Sequence, residues 1–183
     1  MVTIGFVGGL RYFDINKKII NSFANSKDFN LLYVGKKHPG CDLEEYCGDR
    51  DIKNVKFLPT YDNKEKPQIY KNIDIINSVY GNDTPEVCTA LPNKLYDAML
   101  YKKPIMVSKG TYLQEVVEEY GLGLAVDLDV DDIKNILADY LRCFDKDKFV
   151  GGCECFLRIV WEEKRMALSC LDEFVKEMKY GGK

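Results

Sequence analysis

The chain has 183 residues, 46% of them hydrophobic, and a formal net charge of −3. This length and composition suit one domain that buries a core, and the charge balance offers no basic patch for nucleic acid. No apolar run approaches the roughly 20 residues that cross a bilayer, and the N-terminal segment lacks the basic region and cleavage site of a signal peptide. We therefore expect a cytoplasmic protein that has no transmembrane segment and does not bind nucleic acid.

Short apolar runs and helix-like periodicity alternate along the chain, with short connections between them. The predicted strands are 2–7, 29–35, 55–58, 73–77, 104–108 and 122–126, and the predicted helices are 15–24, 43–47, 64–71, 92–101, 112–120 and 156–180. Because the strands do not alternate apolar and polar residues, we expect both of their faces to be buried, as in a parallel sheet. The sequence thus predicts a three-layer α/β fold, a Rossmann-like parallel sheet with helices on both faces and a long C-terminal helix.

A single domain is predicted over residues 1–183, with a Rossmann-like core over about 1–145 and a helical tail over about 146–183. Local signals mark the ends of some of its helices. Asp14 is the predicted N-cap of the first helix, and Thr111 with Gln114 three residues later forms a predicted capping box. The tail carries apolar residues at helical spacing, and Trp161 is predicted to be a packing anchor within it.

The seven cysteines are odd in number and scattered, and no Cys-x-x-Cys pair occurs. Cys153 and Cys155 are too close in sequence for the usual zinc spacings, and the single histidine, His38, is remote from them. Four aspartates between positions 127 and 132 lack the glycine and the closing glutamate of a calcium loop, so we interpret them as a solvated helix start. The sequence therefore predicts reduced thiols and no metal site.

The first candidate site follows the first strand, at Gly8-Gly9-Leu10-Arg11. Doubly wound sheets bind ligands beyond the carboxyl ends of their strands, and glycine lets the backbone approach a ligand closely. The planar guanidinium of Arg11 would grip a diphosphate, and Lys17 would neutralise the same group. A tight turn with solvated charges is the alternative. Because neither a dinucleotide fingerprint nor a Walker-A spacing is present, ordinary NAD or ATP binding has weak support.

The second candidate site is the predicted helix start Pro92-Asn93-Lys94-Leu95, with Asp97 one turn further on. Proline is tolerated in a first helical turn, where the amide has no partner in any case. The free amides and the helix dipole favour an anion there, and Lys94 adds a positive charge. A phosphate near Pro92 and a hydroxyl-bearing group near Asp97 together suit a nucleotide-sugar. A plain buried helix, with Leu95 facing the core, is the alternative.

In their order and spacing, these pieces resemble the C-terminal, donor-binding half of GT-B-fold glycosyltransferases, specifically the large retaining group 4 family. The matching segments are 6–11, 92–99, 103–104, 115–117, 121–123 and 161–162. The resemblance covers nearly the whole chain, and it implies that Arg11 and Lys17 bind the donor diphosphate and that Asp97 accepts hydrogen bonds from the ribose. The family's other glutamate falls at Thr89, which has no carboxylate, and Glu86 in the same loop is the expected substitute.

The resemblance also implies a function and a partner. We expect the donor-binding half of a hexosyltransferase, dependent on a UDP-sugar, in bacterial surface or capsular polysaccharide synthesis. No cofactor is implied, and an acceptor-binding N-terminal half or a separate subunit would complete the enzyme and provide any contact with the inner membrane face. The isolated chain is then expected to be inactive. The alternative is a non-catalytic nucleotide-binding module that docks to a separate acceptor-binding subunit, whereas a nucleotide-sugar epimerase or a Rossmann oxidoreductase has less support.

Overall fold

The computed structural model describes residues 1–180, which form one parallel sheet of six strands flanked by helices. The strands are β1 Val2–Val7, β2 Phe29–Val34, β3 Val55–Leu58, β4 Ile75–Ser78, β5 Ile105–Ser108 and β6 Gly123–Val126. Within the described part of the chain, the helices are α1 Phe13–Phe23, α2 Leu43–Asp49, α3 Lys66–Lys71, α4 Pro85–Thr89, α5 Asn93–Leu100, α6 Tyr112–Tyr120, α7 Ile133–Arg142 and α8 Lys146–Tyr180.

The sheet separates two apolar cores, because successive residues of its strands point to opposite faces. In β4, Ile75 enters the core covered by α1, α2 and α7, and Ile76 enters the core covered by α3, α5, α6 and α8. In β5, Met106 enters the same core as Ile75, and Val107 enters the same core as Ile76. All four residues of each of these strands are buried, the apolar residues that begin each strand as well as the polar residues that end it, Asn77 and Ser78 in β4 and Ser108 in β5. The predicted three-layer Rossmann-like fold is therefore confirmed.

The strand order is β3-β2-β1-β4-β5-β6, and every neighbouring pair is parallel. The order reverses between β1 and β4, so the chain leaves these two strands towards opposite halves of the sheet. A crevice forms beyond their carboxyl ends at such a reversal, and ligands of doubly wound sheets bind there. The fold therefore directs the search for a functional site to the loops after β1 and β4.

Several element boundaries differ from the predictions. Tyr12, in the left-handed conformation at φ 56°, is the N-cap of α1, and Asp14 lies within the first turn. Pro92 is the N-cap residue of α5, one position before the helix, where its fixed φ is compatible with the extended backbone. The predicted loop 78–91 contains the short helix α4, capped by the Thr84 side chain. In the tail, α8 starts well before the predicted position 156, because the Asp145 carboxylate caps its first amides.

The capping residue of α6 is as predicted: the Thr111 hydroxyl accepts a hydrogen bond from the Gln114 amide at 3.2 Å. The predicted box is shifted by one residue, however, since the Gln114 side chain accepts from the Gly110 amide at 2.7 Å. Asp132 caps α7, so the helix start among the aspartates is confirmed, whereas Asp131 is not solvated but paired with Lys109 at 2.8 Å.

The predicted packing role of Trp161 is wrong, because its side chain is 65% exposed. It stands where α8 passes the edge of the core, and all residues from 161 to 178 are exposed. None of the helices in residues 1–180 combines the length and apolarity that crossing a bilayer requires. The seven cysteine thiols are free, and the same residues contain no group of three or more side chains suited to holding a metal ion.

Candidate functional site

A cavity of about 350 Å³ opens where the strand order reverses. Its walls come from the loop after β1, the ends of β4 and β5, the short helix α4 and the first residues of α5 and α6. Five residues predicted from the sequence line it, namely Gly9, Arg11, Glu86, Pro92 and Lys94. The glycine loop and the proline-led helix start, which are remote in sequence, therefore face one space.

Lys94 is the most unusual group in the cavity wall, because it is a buried lysine without a carboxylate partner among the described residues. Its ammonium lies 3.7 Å from the centroid of the Phe6 ring and donates a hydrogen bond to the Tyr80 hydroxyl at 2.5 Å. Burial lowers the pKa of Lys94 to about 7, against a smaller opposing effect from the Asp97 charge. An anion in the cavity would restore the ordinary charged state of this lysine.

Further groups in the same wall lack a hydrogen-bond partner among the residues that the structure describes. Ser78, at the end of β4, is 1% exposed, and its hydroxyl oxygen has no hydrogen-bond partner within residues 1–180. The first amides of α5, at Asn93 and Lys94, have no acceptor within the helix, and the helix dipole makes this end positive. These donors, with the Lys94 ammonium, would be satisfied by a ligand that carries several anionic oxygens.

Arg11 closes the cavity from the β1 side. Its backbone is fixed by Asn16, a buried residue of α1 whose side-chain amide donates to the carbonyls of Arg11 at 2.7 Å and Tyr12 at 3.0 Å. The Arg11 side chain is exposed, and its Nε donates to Nε2 of His38 at 3.0 Å. Arg11 is thus held at its backbone by Asn16 and at its guanidinium by His38, and it lies across the cavity from the buried Lys94.

No protein-family profile matches this sequence, and no curated protein matches it either. Solved structures do match. HepE from Anabaena, in complex with UDP, superposes with a TM-score of 0.71 at 17% identity, over 93% of this chain and 48% of that one. Sucrose-phosphate synthase from Thermosynechococcus elongatus gives a TM-score of 0.73 at 17% identity, over 97% of this chain and 46% of that one.

A third match is the C-terminal domain of a group 1 family glycosyltransferase, LpcC, from Francisella tularensis, with a TM-score of 0.53 at 16% identity over 83% of this chain and 80% of that one. The chain has the fold of one half of a GT-B glycosyltransferase. It spans about half the length of HepE and of sucrose-phosphate synthase.

The other predicted site residues lie either beside the cavity or away from it. Gly8 belongs with the cavity, since a Cβ added there would lie 3.4 Å from the Lys94 ammonium. Asn93 is the exposed first residue of α5. Leu10 and Leu95 are buried in opposite cores, and the Thr89 hydroxyl is used within α4, where it donates to the Pro85 carbonyl at 2.8 Å.

Lys17 and Asp97 do not line the cavity. The Lys17 ammonium lies 3.1 Å from the Asp14 carboxylate and 5.4 Å from the Phe13 ring centroid. The Asp97 carboxylate accepts from the Lys66 ammonium at 2.8 Å and from the Tyr70 hydroxyl at 3.0 Å. The structure therefore brings Arg11 and Lys94 together and keeps Lys17 and Asp97 engaged elsewhere, so the roles assigned to these last two residues stay predictions.

The wall residues that were not singled out from the sequence include Ser78, Tyr80 and Ser108. The Ser108 hydroxyl accepts from the amides of Tyr80 and Gly81, both at 3.0 Å, and so ties the end of β5 to the end of β4. Burial raises the pKa of Tyr80 to about 12, which keeps its hydroxyl protonated beside Lys94. Their position at the carboxyl ends of strands was the available signal, but their mutual contacts depend on the strand order.

Proposed function

We propose that this chain is the donor-binding half of a glycosyltransferase and that it binds a nucleoside diphosphate sugar in the cavity between β1 and β4. The observation that carries the proposal is the buried ammonium of Lys94, which faces the cavity without a carboxylate partner in the described residues. A diphosphate would pair with Lys94 and Arg11 and would accept from Ser78 and the first amides of α5. The UDP bound by HepE, which has the same fold in one half, supports a UDP-sugar as the donor.

The proposed chemistry is the loss of a diphosphate leaving group from the donor sugar. As the bond between the sugar and the diphosphate breaks, negative charge builds up on the phosphate oxygens. Arg11 and Lys94 face that charge from two sides in fixed positions, and fixed opposite charges of this kind stabilise a transition state. Glu86 in the cavity wall is the proposed contact of the sugar, and Asp97 that of the ribose. Bacterial surface or capsular polysaccharide synthesis with retention of configuration is the setting that the family resemblance supports.

The diphosphate contact is tested by Arg11→Ala. We expect this variant to bind UDP, GDP or ADP more weakly by about 1.5–3 kcal/mol, roughly 10- to 150-fold, because a charge-assisted contact is lost. Affinity for the free nucleosides should stay within about twofold of the wild type. Calorimetric titration of each ligand measures both effects. Arg142→Ala, which removes an exposed arginine paired with Asp139 on α7, is the matched control. Equal losses for uridine and UDP would contradict the assignment.

A second feature concerns the partner. The apolar face of α8 that packs into the core through Phe149, Cys153 and Phe156 continues beyond the core along the same side of the helix. Its outer part is exposed, and the stripe consists of Leu168, Leu171, Phe174, Val175 and Met178. The stripe has the three or four apolar residues per two turns that pack against a globular surface, which is broader than a coiled-coil seam. We propose that an acceptor-binding half, in the same protein or in a separate subunit, covers it.

Turnover by the chain alone tests the expected inactivity of the isolated chain. We expect the purified chain to bind a UDP-sugar and to release no UDP above background, because the acceptor side of the cleft is not formed. The measurement is UDP release over hours at saturating donor. Robust hydrolysis would contradict the expected inactivity and would remove the non-catalytic module as an alternative. The Lys94→Met variant is the control, since turnover that survives in it comes from a contaminant.

A further inference from the structure

The loop after β2 extends the pairing of β1 and β2 past the ends of both strands. The Leu10 amide donates to the Lys36 carbonyl at 2.8 Å, and the His38 amide donates to the Leu10 carbonyl at 3.1 Å. Leu10 and Lys37 form a parallel bridge between these two hydrogen bonds. The backbone of His38, the single histidine of the chain, is thereby fixed beside the glycine loop.

His38 uses this position to hold the guanidinium of Arg11. Nε of Arg11 donates to Nε2 of His38 at 3.0 Å, so Nε2 is the acceptor in this contact. Both side chains lie over Gly9 in the cavity wall, where an added Cβ would be 3.8 Å from the Arg11 Nε and 4.0 Å from the His38 Cδ2. With Nε occupied, the two terminal nitrogens of Arg11 form the edge of the guanidinium that remains for a ligand.

We propose that His38 is a positioning residue for the diphosphate, and that it acts by fixing the Arg11 guanidinium through Nε so that both terminal nitrogens face the cavity. This inference rests on the proposed function. An exposed arginine samples many rotamers, and ordering it at the moment of binding lowers affinity. A guanidinium already held at one nitrogen loses less freedom on binding, and its planar fork matches two phosphate oxygens. His38 itself does not touch the ligand.

The test uses His38→Leu and His38→Gln in the full chain, with inorganic pyrophosphate, UDP and uridine as probes. His38→Leu removes the acceptor, and we expect it to weaken pyrophosphate and UDP binding about three- to tenfold without changing uridine binding. His38→Gln places an amide oxygen near the position of Nε2 and is expected to restore the affinity to within about twofold of the wild type. Pro39→Ala on the same loop is the control for loop mobility, and melting temperatures verify that each variant is folded.

A double-mutant cycle identifies Arg11 as the route of the effect. In an Arg11→Ala background, His38→Leu is expected to cause no further loss of pyrophosphate affinity. Equal losses in the leucine and glutamine variants, or an undiminished loss in the Arg11→Ala background, would overturn the positioning role. An unchanged affinity in His38→Leu would do the same. If the wild-type chain bound neither pyrophosphate nor UDP, the proposed function itself would fail. Tight binding that is independent of His38 would instead overturn only the positioning role.

Discussion

Replacing Lys94 with methionine is expected to make the ligand-free protein more stable while removing most of its affinity for nucleoside diphosphates. Methionine keeps an apolar side chain of similar length in the space beside Phe6 and removes the buried charge. Burial lowers the pKa of Lys94 from 10.5 to about 7, so the charged form is disfavoured in the folded protein. We expect the free energy of unfolding to rise by about 2–4 kcal/mol at about pH 6, after allowance for the lost contacts with Phe6 and Tyr80.

The pH dependence of this gain follows from the same pKa. Below pH 7 both the folded and the unfolded wild type carry the proton, so the full penalty of the buried charge is present. Between about 7 and 10.5 only the unfolded state keeps the proton, so the stability of the wild type rises with pH and the advantage of Lys94→Met shrinks. Denaturant unfolding at about pH 6 and about pH 8.5 measures the difference.

Ligand binding should change with pH in the opposite sense. The ammonium attracts the diphosphate, and the free wild-type protein loses this charge as the pH rises through about 7. UDP affinity is therefore expected to fall above neutral pH in the wild type and to be weak and nearly flat in Lys94→Met. Lys134→Met, at an exposed position of α7, is the matched control and should leave stability and binding unchanged. A destabilised Lys94→Met protein that still binds UDP tightly would refute the role of this lysine.

The second large effect is expected for Gly35→Ala, at the end of β2. Gly35 has φ +144°, and an added Cβ would lie 1.9 Å from the carbonyl oxygen and 2.7 Å from the carbonyl carbon of Gly8. The alanine must therefore displace the glycine loop, which lies directly beneath Lys94 and carries Arg11. We expect a loss of about 3 kcal/mol or more in the free energy of unfolding. The loss of UDP binding should be larger than the loss of folded protein alone would cause.

Urea denaturation and UDP titration check both parts of this prediction. The control is Gly48→Ala in α2, where an added Cβ meets no atom within 4 Å. Because alanine favours a helix more than glycine does, this control should be neutral or more stable by up to about 1 kcal/mol. A Gly35→Ala protein with wild-type stability would mean that the loops after β1 and β2 are not packed against each other as described.

The sheet was predictable because its central strands are buried on both faces. The apolar residues Ile75-Ile76 of β4 and Ile105-Met106-Val107 of β5 are visible without any tertiary information. The short helix α4 was not predicted, since five residues are too few to reveal a helical period. Its Thr84 cap and Pro85 in the first turn were the only local signals. Both are also common in loops, which is why the segment was predicted to be irregular.

The candidate site was predictable where the order of elements along the chain decides it. Arg11 lies in the loop after β1 and Lys94 in the first turn of α5, and the strand order brings both to the carboxyl edge of the sheet. The partner of a long side chain depends instead on residues remote in sequence. Asp97 pairs with Lys66 on α3, and Arg11 donates a hydrogen bond to His38 in the loop after β2. Neither pairing has a local pattern, so the pairing of Asp97 and the position of His38 beside the site could not be predicted from the sequence.

The outer part of α8 has a consequence for how this protein can diverge. Residues 161–178 are all exposed, so their side chains contribute little to folding of the sheet, and the candidate cavity lies at the strand ends, where other elements form it. Under the proposed function, mutations that adapt the stripe to a different partner would leave donor choice unchanged, and mutations that change donor choice would leave the stripe unchanged. Assembly and substrate range would then be separable traits of one polypeptide.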